Sequence, residues 1–226
     1  MNKKSIFISR ELRFPEIWQP LIEEGFTIHA ESLIHFTPIP YDHIPPSDWL
    51  YFYSKNAVKY FQLGIPQNKL NLTEYKIAAH GLQTAAEIRE IFKLEIDFVY
   101  NPTENNTSQA FMHLVQNKKV LFIQAQNSMQ TIQNAQPKID AIKLAVYNNE
   151  AKKNIDIPLC KHLLFTSPLN VNTYFTHYDL QPEQNIVAIG NTTLAACLEY
   201  TNGIDVAISE KSSEQALLQK LLSQIS

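Results

Sequence analysis

Four short stretches combine residues that could hold an anion. Ser54-Lys55-Asn56, Gly81 to Thr84, Ser167-Pro168 and Gly190-Asn191-Thr192-Thr193 each put a hydroxyl or a glycine where an apolar run gives way to a helix-period segment. Free N–H groups and the macrodipole at a helix start favour negative charge. Gly81 and Gly190 would let backbone approach a ligand closely. Taken alone, each Ser or Thr is accounted for as an N-cap worth about 1 kcal/mol. Four such loops at the ligand ends of α/β units point instead to a large, multiply anionic ligand.

Other chemistries find less support. The seven histidines show no metal-ligand spacing such as His-x-x-x-His. His80, beside Gly81, is the histidine nearest a ligand loop and reads first as a packed or solvated ring. Cys160 precedes an apolar run and Cys197 lies in an Ala-rich segment, so both read as core thiols of a reduced, cytoplasmic chain. No Gly-x-Gly-x-x-Gly or P-loop argues for a nucleotide. A net charge of -3 and only three arginines (Arg10, Arg13, Arg89) disfavour nucleic acid and an arginine-clamped phosphate. No signal-peptide core and no run of the roughly 20 apolar residues that a membrane helix needs is found.

The elements that must position these loops alternate along the chain. Strands are expected near 4-8, 26-30, 49-53, 75-79, 95-99, 119-123, 140-147, 161-166, 185-189 and 204-208. Their nearly continuous apolar character, as in Trp49-Leu50-Tyr51-Phe52-Tyr53, suits parallel strands covered on both faces. Pro15 and Gly25 bracket one helix, Thr84 begins another, Ser167 caps a third, and Ser212 with Gln215 fits a capping box. The pattern implies βαβ units.

The chain also repeats itself. WLYFYSKNAVKYF, KIAAHGLQTAAEI, LEIDFVYN and SQAFMHLV recur in order as HLLFTSPLNVNTYF, NIVAIGNTTLAACL, GIDVAISE and EQALLQKL. The first two strands precede copy one, while copy two ends the chain. Domain 1 is therefore expected at 1-37 plus 150-226, with domain 2 at 38-149 inserted.

The pieces SREL, DWLYFYSKNAVKYF, LFTSPLNV and above all NIVAIGNTTLAACLEYTNGIDVAISEKSSEQALLQKL resemble uroporphyrinogen-III synthase over nearly the whole chain. The resemblance implies two flavodoxin-like parallel-sheet domains, a two-stranded β linker and an active site in the inter-domain cleft. It implies a lyase of tetrapyrrole and heme biosynthesis that needs no cofactor and no metal. Hydroxymethylbilane would lose its hydroxyl, invert ring D and close to uroporphyrinogen III. A monomer is expected, with possible channelling from hydroxymethylbilane synthase. The alternative is a non-catalytic hinged binder of a tetrapyrrole or other polyanion.

Family binding positions carry over to Ser54, Thr84, Ser167, Thr192 and Thr193, beside Lys55, Gly81 and Gly190 in the same loops. Tyr147, in LAVYNN, matches the tyrosine expected to help the hydroxyl leave. The chain departs from the family where an Arg-Gly-like turn reads LFIQAQNSMQ, with Gln124 and Gln126. Lys55, Lys152, Lys153 and Arg10 are the cations that could compensate.

Overall fold

A computed structural model describes residues 2–65, 71–101, 104, 106–128, 132, 134, 139–201 and 203–225. In chain order, β1 (Asn2–Ile8) leads through a 3-10 turn (Pro15–Trp18) into α1 (Gln19–Glu23) and β2 (Thr27–Ala30). Then come β3 (Ile34–Pro38), β4 (Trp49–Phe52), α2 (Lys55–Gly64), β5 (Lys76–His80), α3 (Leu82–Phe92), β6 (Phe98–Tyr100), α4 (Thr107–Leu114) and β7 (Lys119–Ala125). The long β8 (Asp140–Ala151) precedes β9 (Cys160–Phe165), α5 (Pro168–His177), β10 (Asn185–Ala188), α6 (Asn191–Leu198), β11 (Val206–Ile208) and α7 (Glu214–Ile225).

The chain forms two compact units. Unit 1 is Met1–His35 with Glu150–Ser226, and unit 2 is Phe36–Asn149. The sheet of unit 1 runs β11-β10-β9-β1-β2, with parallel pairs throughout. The second sheet runs β3-β8-β7-β4-β5-β6, and its pairs from β8 to β6 are parallel. The strand at its other edge, β3, runs antiparallel to β8. Ile39 N–H donates to Val146 O and Lys152 N–H to Leu33 O, both at 2.9 Å, so one strand rises as the other falls.

The two sheets have one plan with different starting points. In unit 1 the strands, taken in chain order, lie 2-1-3-4-5. In unit 2, β7 and β8 occupy the places of β1 and β2, and β4, β5 and β6 those of β9, β10 and β11. The repeat is thus a circular permutation, which is why the copies are not in tandem.

Both sheets are covered on two faces, as the unbroken apolar runs require. In β4, Leu50 and Phe52 pack with α2 and α3, while Trp49 and Tyr51 pack with Phe111 of α4. In unit 1, Phe7 and Phe165 pack with α5 and α6, and Ile6 and Ile8 with Trp18 and α7. Burying each of these large side chains contributes roughly 1.5–3 kcal/mol.

Local details differ from the sequence reading for identifiable reasons. β3 is not among the strands read from apolar runs, although the resemblance implied a two-stranded β linker; its place is secured by pairing with β8, a non-local partner. The third helix begins at Leu82 and not at Thr84, because Gly81 takes a φ of +86° and serves as the N-cap. The last helix is capped by Ser213 and not by Ser212: the Ser213 Oγ accepts from Ala216 N–H at 3.1 Å. β6 starts at Phe98, just after Asp97 has accepted the Ile77 N–H at 2.8 Å. No helix among the described residues is long and apolar enough to cross a membrane.

One packing feature carries a pH signature. His162 is 4% exposed at the start of β9, and its Nδ1 has no partner among the described residues. Burial, aided by Lys161, pushes its pKa below the ordinary histidine value. Burial shifts His80 the same way. The unfolded chain therefore binds protons that the folded one refuses. The contribution of these two histidines to stability should be full above about pH 6.5 and decline as pH falls below that toward the lowered folded-state values. His162→Leu should flatten part of the decline, read as urea midpoints at about pH 7.5 and 5. Equal pH slopes in parent and variant would refute the assignment.

Candidate functional site

In doubly wound sheets, ligands meet the carboxyl ends of strands, where chain direction switches between neighbours. In unit 2 that point lies between β7 and β4. The residue after β4 is Tyr53, and then Ser54 caps α2 by accepting from Ala57 N–H at 3.0 Å. The Ser54 hydroxyl lies 3.2 Å from the Tyr147 hydroxyl, and either can donate. Tyr147 reaches this place because an extra residue in β8, between Ala145 and Tyr147, shifts its register against β7 and sets Tyr147 beside Ala125. Its ring stacks on Tyr60 at 5.1 Å and tilts against Phe36 at 6.0 Å. The side chain is 6% exposed. Burial raises its pKa, against the opposing bond from Ser54, so it is held as the phenol.

The opposite face of the same sheet end carries a row of rings. Phe52 pairs with Ala79, so the next residues, Tyr53 and His80, are neighbours, and His80 pairs with Tyr100. The His80 ring stacks on Tyr53 at 5.5 Å and on Tyr100 at 5.0 Å. From beneath, the Tyr51 hydroxyl lies 2.9 Å from His80 Nδ1. These residues were missed as a group. The available signal was an aromatic or histidine residue at or just past the end of each of three successive strands.

In unit 1 the corresponding point lies between β1 and β9. Thr166 N–H donates to Ser9 Oγ at 2.9 Å, and the Thr166 hydroxyl donates to Ser9 O at 3.0 Å. This hydroxyl pair was also missed, although FISREL and LFTSP both end a strand on one. Ser167 caps α5, accepting from Asn170 N–H at 3.3 Å and from Asn170 Nδ2 at 2.9 Å. Gly190 caps α6 with extended backbone that any residue adopts, unlike Gly81. Thr192 is exposed, whereas Thr193 is buried. Thr84 and Thr193 are the third helical residues after Gly81 and Gly190, and both turn inward, at 4% and 2% exposure.

The expected compensating cations are largely engaged. Lys55 pairs with Glu87 at 3.7 Å and Lys152 with Glu31 at 2.7 Å. Arg10 Nε lies 3.8 Å from Glu214, a buried carboxylate that also accepts from Trp18 Nε1 and Arg13 N–H. The Lys153 carbonyl lies 3.0 Å from His177 Nε2, and no acid stands against the Lys153 side chain among the described ion pairs. Gln124 is fully buried, so the position where a cationic turn was sought faces the protein interior. Met129 and Gln130 of that stretch lie outside the described residues. Burial pushes the Cys160 and Cys197 thiols up to about 11 and about 12, which leaves them un-ionised and poor nucleophiles. Among the described residues, no group of three or more His, Cys, Asp or Glu is placed to hold a metal ion.

Fold and site together define a doubly wound α/β protein of two units, with hydroxyls and helix N-termini gathered at the ligand ends of its sheets. The uroporphyrinogen-III synthase HemD family model matches residues 16–219. The chain belongs to that family, and its activity is that of a cyclising lyase forming uroporphyrinogen III. No curated protein matches significantly. The fold is similar to that of uroporphyrinogen-III synthetase from Helicobacter pylori, with a TM-score of 0.73, 22% identity, and coverage of 98% of this chain and 99% of that one. It is also similar to a mutant uroporphyrinogen III synthase from Thermus thermophilus, with a TM-score of 0.63, 16% identity and 98% coverage of each chain.

The inward turn of two threonines separates packing from binding. Thr84→Ala and Thr193→Ala should each lower stability by about 1 kcal/mol, and Thr192→Ala by less than about 0.5. Urea unfolding of the three variants checks this; a Thr192→Ala loss as large as the others would place its hydroxyl in the packing.

Proposed function

We propose that Tyr147 is the donor that helps the terminal hydroxyl of hydroxymethylbilane depart. The family match carries the reaction, and the Ser54–Tyr147 hydroxyl pair carries the choice of donor. With Ser54 donating to the phenol oxygen, the Tyr147 proton is left for the leaving hydroxyl. The C–O bond breaks as a pyrrole nitrogen pushes electrons into the azafulvene, and water leaves with that proton. The substituted α-carbon of ring D attacks the exposed methylene, the bond from that carbon to its old bridge carbon breaks, the bridge carbon rejoins ring D at its free α-carbon, and the proton lost there returns to the Tyr147 phenolate. A phenol is a weak acid in bulk water, but a bond from a fixed donor to developing charge is strong where water is excluded.

In the same reading, substrate carboxylates take the backbone N–H groups at the starts of α2, α3, α5 and α6. The loops involved are Ser54-Lys55, Gly81 to Thr84, Ser167, and Gly190 with Thr192 and Thr193. Gly81 suits this role because any other residue there would be strained by its φ of +86°. The reading extends to a cytoplasmic monomer supplied by hydroxymethylbilane synthase. Two free, buried thiols support a reducing compartment.

Hydroxymethylbilane closes to the type I isomer unaided, so the test is a type III excess in the presence of the protein. Tyr147→Phe keeps the ring on Tyr60 and Phe36 and removes only the hydroxyl. It should reduce turnover roughly 10- to 1,000-fold, equivalent to about 1.4–4 kcal/mol of barrier, with product affinity little changed. A Phe variant as fast as the parent would remove Tyr147 from the donor role.

A further inference from the structure

We infer that His80 is a substrate-binding residue whose Nε2–H donates to a carboxylate of the bilane. The inference rests on the uroporphyrinogen-III synthase reading. Its starting point is the row of rings at the carboxyl edge of unit 2. β5 lies between β4 and β6, so Tyr53 and Tyr100 flank His80 from neighbouring strands and sandwich its ring. The ring cannot swing without breaking both stacks.

The buried Tyr51 hydroxyl then sets the tautomer. Tyr51 is 0% exposed and held as a phenol by burial, so its proton goes to His80 Nδ1, 2.9 Å away. With Nδ1 accepting, the ring proton sits on Nε2. Nε2 points away from Tyr51, and no described residue accepts from it. Burial keeps the ring neutral by lowering its pKa. The result is a fixed, uncharged donor on a partly exposed side chain.

The chemistry of the substrate says what meets this donor. Its pyrrole nitrogens carry N–H groups and are themselves donors. The acceptors it offers are its carboxylates and the terminal hydroxyl, and that hydroxyl is already assigned to Tyr147, packed on the other face of the sheet. A neutral donor also fits a chain whose Lys55, Lys152 and Arg10 are paired with acids.

The test uses the full chain with 15N-labelled histidine and uroporphyrinogen III kept reduced. Free protein should show His80 as the Nε2–H tautomer, and uroporphyrinogen III should shift that resonance. Tyr51→Phe/His80→Phe keeps the stacking and leaves no buried hydroxyl unpaired. It should raise KM and product Kd roughly 10- to 100-fold, with kcat changed by less than about 2-fold. Tyr51→Phe alone should mix the tautomers and weaken binding less. A free-state Nδ1–H tautomer, or a double variant that binds like the parent, overturns the inference alone. A parent that makes no type III excess and binds no uroporphyrinogen III overturns the reaction reading and this inference with it.

Discussion

Unit 1 depends on the parallel pairing of β1 with β9. Ile6, Phe7 and Ile8 lie beside His162, Leu163 and Leu164, and both faces of the pair are dry. Across the same seam Lys161 N–H donates to Ser5 Oγ, 156 positions away in the chain. Closing so long a loop alone would cost about 4–5 kcal/mol of chain entropy. The antiparallel ribbon of β3 and β8 shares that cost, because it already holds Leu33 against Lys152. Once the seam forms, Phe7 completes the core under α5 and α6, and Ile6 and Ile8 the core under α7. Without β9, β1 and β2 are a two-stranded ribbon, which is too little sheet to stand alone.

The alternation of apolar runs and capped helices made the α/β class and the parallel sheets legible before any coordinates. Trp49-Leu50-Tyr51-Phe52 could hardly be a half-exposed strand, and it is buried throughout. Local chemistry also marked Ser54 and Ser167, which cap their helices as their positions suggest. What escaped was non-local. His35-Phe36-Thr37-Pro38 has no apolar run of its own and is a strand because β8 offers it an edge. Thr84 and Thr193 read as ligand hydroxyls, but one residue of helical phase decides whether a side chain faces solvent or the sheet. Gly81, through its positive φ, sets that phase in α3. The Ser54–Tyr147 contact spans 93 positions and depends on a bulge in β8, which no spacing rule announces.

The candidate site relies on neutral groups more than on charge. The paired state of Lys55, Lys152 and Arg10 weakens the simplest electrostatic attraction for carboxylates. Hydroxyls, an imidazole N–H and backbone N–H groups remain. Such donors hold their geometry without strong counter-ions, and their bonds gain strength as water is excluded. In the proposed reading, the two faces at the end of the unit 2 sheet divide the work. Packing of Tyr147 on Tyr60 positions a phenol on one, and the Tyr53–His80–Tyr100 stack positions an imidazole on the other.

The permuted order of the strands has a consequence for biosynthesis. On the ribosome, residues 1–35 emerge first, yet the central partner of their sheet, β9, begins only at Cys160. Unit 2 has its whole sheet once β8 is made, so it can fold co-translationally while β1 and β2 wait. During that interval β1 carries Ile6, Phe7 and Ile8 with an open edge on the side that β9 will cover. An open apolar edge is a template for unwanted pairing. The polar, lysine-bearing start of the strand, Asn2-Lys3-Lys4-Ser5, then works as a gatekeeper for a segment whose partner has yet to be translated.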